Sequence, residues 1–124
     1  MAIVLNSKTY NFIGFDRNGV SVYKETSSGT PTGYSYLTCA VIEGANKQPI
    51  KVRWRLTMPV VATVDSSCGC VGSVLRTFYF DEGRVEIPRS SIQAERDDFQ
   101  ARITALTNTT EYKNSVKSLV QPSA

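Results

Sequence analysis

The sequence predicts an α+β protein: an N-terminal hairpin and an antiparallel sheet, followed by two C-terminal helices, in one domain spanning residues 1–124. Three observations lead there. Period-two alternation of apolar and polar residues dominates residues 1–88, and from residue 90 the apolar spacing changes to that of a helix. The third is size: 124 residues with 41% hydrophobic composition suffice for one modest core and leave no room for a second domain. Strands first and helices last is the order of α+β folds, in which the helices cover one face of the sheet.

Residues 3–5 and 9–15 are extended candidates. Asp16-Arg17-Asn18-Gly19 is a turn signal, because Asn-Gly tolerates positive φ, and residues 20–23 resume the alternation to complete a hairpin. Residues 27–33, reading Ser-Ser-Gly-Thr-Pro-Thr-Gly, form a loop, and residues 34–42 a strand. Gly44-Ala45-Asn46-Lys47 turns the chain into a strand over residues 50–58, which Pro59 is expected to end or shift, since proline has no donor for the ladder. Residues 60–64 extend again and residues 65–72 form a polar loop. Residues 74–87 read as one long strand, with Phe78, Tyr79 and Phe80 near its middle and a bulge or bend at Asp81-Glu82-Gly83.

After Pro88 the period changes. Ser90 with Gln93 predicts a capping box, and Ile92, Phe99, Ile103 and Leu106 recur at spacings of seven, four and three, as one face of a helix requires. Asn108 with Glu111 predicts the cap of a shorter helix striped by Tyr112, Val116 and Leu119, with Pro122 closing it.

The most informative segment is residues 50–58, Ile-Lys-Val-Arg-Trp-Arg-Leu-Thr-Met. In a strand, Lys51, Arg53, Arg55 and Thr57 share one face, while Val52, Trp54, Leu56 and Met58 share the other. One face suits a core and the other an anion. A net charge of +3 is too mild for a protein that coats nucleic acid by bulk charge, but the charge is segregated. Residues 47–55 hold four cations and no acid, whereas residues 92–98 hold Glu95, Asp97 and Asp98 against Arg96 alone.

An enzyme is not expected. The chain contains no histidine, which removes histidine-based acid–base chemistry and nucleophile activation. Gly69, Gly72 and Gly83 lack phosphate-loop spacing, and Asp97 and Asp98 are adjacent on a helix and diverge. Neither a cofactor nor a small-molecule substrate is implied. The first residues have no charged leader, and their apolar run is far shorter than the roughly twenty residues of a membrane span, so the expectation is a soluble protein made in the cytosol, without a membrane partner.

Three cysteines cannot all pair within one chain, and Cys68 and Cys70 are too close in sequence for an easy mutual bridge. Free thiols, a metal pair and bridges to neighbouring chains stay open for that loop, although Cys-Gly-Cys without histidine is a poor zinc signature. Cys39, alternating with Thr38 and Ala40, reads as a small buried hydrophobe.

Six or seven strands offer more apolar surface than a helical tail of about thirty residues covers, so part of the sheet is expected to meet a ligand or a partner subunit. At this point the chain resembles the coat proteins of single-stranded RNA bacteriophages, the leviviruses. The likeness rests on Thr38-Cys39-Ala40-Val41 followed after a turn by the strand to Met58-Pro59, on Cys68-Gly69-Cys70 between two strands, and on the long strand stopping at Ile87-Pro88 before paired helices.

The resemblance implies a five-stranded antiparallel sheet preceded by a hairpin. Its helices would reach over the sheet of a second subunit in an interlocked dimer, with Trp54, Phe99, Ile103 and Leu106 at the dimer interface. It further implies a capsid protein of the virion, assembled in the host bacterial cytoplasm into an icosahedral shell whose inner sheet face binds single-stranded viral RNA, with translational repression through a genomic hairpin. The RNA-facing positions it implies are Lys51, Arg53, Arg55 and Thr57, with Thr38 and Ala40 on the preceding strand and Phe80, Glu82 and Arg84 on the long one. Ala40 and Glu82 depart from the small polar and amide residues of the family pattern. Cys68 and Cys70 become candidates for inter-subunit disulfides. The residues alone also fit a small dimeric nucleic-acid-binding sheet protein that forms no shell.

Overall fold

The computed structural model describes residues 2–27, 29, 33–43, 48–61, 74–81 and 83–123. Seven strands form one antiparallel sheet in chain order: β1 (Ala2–Leu5), β2 (Lys8–Phe15), β3 (Ser21–Glu25), β4 (Ser35–Ile42), β5 (Lys51–Val61), β6 (Val74–Asp81) and β7 (Arg84–Glu86). Helices α1 (Gln93–Thr107) and α2 (Thr110–Lys117) follow. The α+β order read from the periodicity is the observed one.

Each hairpin has a local cause. Asn6 and Ser7 take positive φ (50° and 67°) between Leu5 and Lys8, the twist that a two-residue turn needs to match its strands. In the next turn Asp16 Oδ1 accepts from the backbone N–H of Asn18 and Val20 at 2.8 and 3.0 Å, while Gly19 takes the positive φ. Gly14, at φ 128°, marks a bulge in β2 where the register slips.

Five expectations are corrected. Pro59 does not end β5; it pairs with Thr77 beyond the last β4 partner, Tyr36 opposite Thr57, where the strand has a ladder on one side and tolerates a missing donor. The long strand is two, because Asp81 and Arg84 pair directly across a tight reversal containing Gly83 at φ 81°. Helix α1 starts at Gln93, with Glu95 Oε1 accepting from the Ile92 N–H at 3.2 Å, and α2 is capped by Thr109, whose hydroxyl accepts from the Tyr112 N–H at 3.2 Å. Leu119 therefore lies outside α2, at φ 58°, and with Val116 is exposed instead of buried.

Both helices pack on the sheet of their own chain. Phe99 meets Phe78 with ring centroids 5.2 Å apart, and Trp54 lies under α2, donating from Nε1 to Ser115 Oγ at 2.9 Å with the Tyr112 ring 6.0 Å away. Trp54, Phe99 and Leu106, assigned from the sequence to a dimer interface, are buried in this intrachain core, and Ile103 packs against it. The stripe of α1 also includes Arg102, which is buried and donates to the Tyr10 hydroxyl at 2.9 Å while its fork holds Asp98. Tyr10 bonds Ser35, whose hydroxyl donates to the Thr57 carbonyl, so one polar chain ties α1 through β2 and β4 to β5. At the far end, the Ser21 hydroxyl donates to the Pro122 carbonyl, and Gln121 bonds Gly19 and Val41, anchoring the C-terminal segment.

Candidate nucleic-acid interface

Antiparallel partners share a face, so the register sorts the side chains. Leu37, Leu56, Phe80 and Val85 form one rung on the helix side. On the opposite side, one rung runs Val22, Thr38, Arg55, Asp81, Arg84, and the next Lys24, Tyr36, Thr57, Tyr79, Glu86. Ala40 opposite Arg53 and Ile42 opposite Lys51 extend this second face along β5.

The face read from residues 50–58 is thus the face observed: Lys51, Arg53, Arg55 and Thr57 lie together with Thr38, Ala40 and Arg84. Phe80 is a correction. It lies on the helix side, packed against the core, and Tyr79 stands on the cationic face instead. The cause is parity: residues 80, 82 and 84 share a face only in an unbroken strand, and the reversal at Gly83 puts 79, 81, 84 and 86 together. Glu82, Cys68 and Cys70 lie outside the described residues.

Three residues of this face were missed. Tyr36 and Tyr79 flank Thr57 on neighbouring strands and are 37% and 44% exposed, leaving ring surface open beside the cations. Asp81 was missed because its sign opposes its surroundings. Its carboxylate accepts from Arg53 Nε at 3.0 Å and Nη2 at 2.9 Å, and Arg55 Nε lies 3.3 Å away. The Arg53 fork, with Arg55 and Arg84 nearby, holds the Asp81 carboxyl below the usual carboxylate range against the opposing effect of its partial burial.

Chemically, the face offers guanidinium donors suited to phosphate and aromatic surface suited to an unstacked base. The Cys39 thiol is buried and pushed up to about 12 by desolvation, so it stays protonated and unreactive. Among the described residues there is no group of three potential metal ligands, and no helix is long and apolar enough to cross a membrane.

A cleft of about 520 Å³ opens where β5 runs past the β6–β7 reversal, lined by Val52, Trp54, Phe80, Tyr112 and Val116 together with Lys51, Arg53 and Gly83. Val85, beside Phe80 in the ladder, is 42% exposed.

A single antiparallel sheet with one helix-covered apolar face and one open cationic face defines the class as a two-layer α+β sheet protein. The levivirus coat protein family model matches residues 4–122, and the chain belongs to that family. It is a structural protein of the virion. Two solved structures are similar in fold: the virus-like particle of Beihai levi-like virus 21, with TM-score 0.54, 19% identity and coverage of 99% of this chain and 97% of that one, and the virus-like particle of bacteriophage NT-214, with TM-score 0.51, 20% identity and coverage of 93% and 87%. No curated protein sequence matches the chain.

Proposed function

We propose that this chain forms dimers that close into an icosahedral shell, in the host bacterial cytoplasm, with the cationic sheet face turned inward against single-stranded genomic RNA. The observation that carries the RNA reading is the segregation of Lys51, Arg53, Arg55 and Arg84, with Tyr36 and Tyr79, on the face that the helices leave open. Phosphates would engage the cations with a salt-dependent affinity, and an unpaired base would stack on an exposed tyrosine. Grip on one genomic hairpin would let a dimer repress translation.

The dimer reading is supported by the edge of the sheet. β7 ends the strand order, and Arg84, Val85 and Glu86 are all exposed. Two copies of β7 paired antiparallel about Val85 would set Arg84 opposite Glu86 of the second copy, with opposite charges twice over, and would bring the exposed Val85 side chains together. The shell reading is supported by family membership and by the assembled particles of the similar structures.

The test is expression in a bacterium, then sizing by electron microscopy and light scattering and recovery of nuclease-protected RNA. Closed particles containing RNA are expected, and Arg53→Gln with Arg55→Gln should lower the RNA content of intact particles. Dimers that bind RNA but never form particles would favour the shell-free sheet protein; particles whose RNA content ignores both arginines would refute the assigned inner face.

A further inference from the structure

The cationic face carries its own anion. Asp81 receives Arg53 through two parallel donors, the geometry in which a guanidinium also holds phosphate, and Arg55 closes on the same carboxylate. Arg84 sits across the reversal, opposite Asp81 in the ladder. The Arg55 side chain is 53% exposed and the Asp81 side chain 18%, so the carboxylate lies beneath the cations instead of projecting beyond them. A phosphate approaching from solvent meets arginine first.

We infer that Asp81 is a built-in counter-ion that occupies the arginine fork in place of phosphate, so that RNA binds this face by exchanging its backbone phosphate for the Asp81 carboxylate. This rests on the RNA reading above. Affinity is thereby held below what the same cations would give without Asp81, while the arginines stay ordered when no RNA is bound.

Two effects of the carboxylate oppose each other. By ordering Arg53 and Arg55 it lowers the entropy they lose on binding, and as a fixed negative charge it competes for their donors and repels the phosphate. The ordering effect is the smaller, because only Arg53 is held through two donors, while Arg55, 53% exposed, meets the carboxylate through a single contact that restrains it weakly. The charge acts on every phosphate within about 8 Å, a Debye length at physiological salt. The net sign follows: removing the charge tightens RNA binding.

The experiment measures fluorescence anisotropy of a labelled, mixed-sequence single-stranded oligoribonucleotide with full-length protein below its assembly concentration, across a salt series. Asp81→Asn should bind on the order of two- to tenfold more tightly, with a steeper log–log salt slope, because the wild-type carboxylate, once displaced by phosphate, takes up a cation that offsets part of the counter-ion release. In an Arg53→Gln background the same change should gain less. Asp81→Ser, which removes the charge with a smaller side chain, should agree in sign, and tryptophan-fluorescence melts of all variants report folding. If wild-type protein binds RNA and Arg53→Gln with Arg55→Gln weakens it, but Asp81→Asn and Asp81→Ser bind equally or more weakly, the counter-ion is overturned and the RNA face stands. If wild-type protein has no salt-dependent RNA binding, both fall.

Discussion

Replacing Trp54 by alanine tests the assignment of the two sheet faces at one residue. Trp54 is 4% exposed beneath α2, its ring lies 6.0 Å from that of Tyr112, and its Nε1–H is bonded to the buried Ser115 hydroxyl. Truncation removes the indole, opens a cavity between β5 and α2, and takes the donor from Ser115. Large-to-small changes of this kind cost about 3 to 5 kcal/mol, against a total stability of about 5 to 15 kcal/mol for a domain. With an unfolding entropy of roughly 2.1 cal/mol/K per residue, that cost lowers Tm by about 12 to 19 °C for a chain of this length. Trp54→Phe separates the contributions: it keeps most of the apolar bulk and loses the hydrogen bond, so its cost should be about 1 to 2 kcal/mol. Circular dichroism melts of unassembled protein are the assay, since this is the only tryptophan and its fluorescence disappears with it. Arg53→Gln with Arg55→Gln, on the open face, should move Tm by no more than a few degrees. If Trp54→Ala melts like wild type while the double arginine change unfolds the protein, the faces have been assigned the wrong way round.

Phe99→Asp places a carboxylate against Phe78 in the core and should cost several kcal/mol, read as loss of soluble folded protein; an unchanged melt would mean that α1 does not pack as described. Acid should weaken the docking of α1. Arg76, bonded to Glu95 at 2.7 and 2.9 Å, holds that carboxyl below its usual range, so the unfolded chain binds the proton more readily. The contribution is therefore present above the ordinary glutamate pKa of about 4.3 and is lost as pH falls through the depressed folded value. Glu95→Gln should flatten the acid limb of a Tm-versus-pH curve, and an identical limb would remove Glu95 from its causes. For Cys68 and Cys70, outside the described residues, Cys68→Ser with Cys70→Ser should lower the thermal resistance of air-oxidised particles while leaving the dimer intact, and non-reducing gels of wild-type particles should contain covalent multimers. A single monomer band would count against bridging.

The sequence by itself determined the faces of β5. That strand is uninterrupted, so parity alone separates Lys51, Arg53, Arg55 and Thr57 from Val52, Trp54, Leu56 and Met58, and the change of period after Pro88 marks the passage from strands to helices. Burial of Phe99 and Leu106 was legible for the same reason, since their spacing is helical. Parity cannot be carried through a reversal whose length is unknown. The family resemblance put Phe80 with Glu82 and Arg84 on the cationic face of one long strand, and only the register of Asp81 with Arg84 moved it to the core and brought Tyr79 and Asp81 to the cations. Arg102 falls on the buried stripe of α1 although it is charged, because Tyr10 on β2, 92 residues away in sequence, supplies a buried partner that no local pattern announces. Asp81 is the same case on the open face: an acid among arginines reads as an interruption until the sheet brings β5 and β6 side by side and the guanidinium fork closes on it. Local periodicity determines which way a side chain points, but the pairing of distant strands decides what it meets.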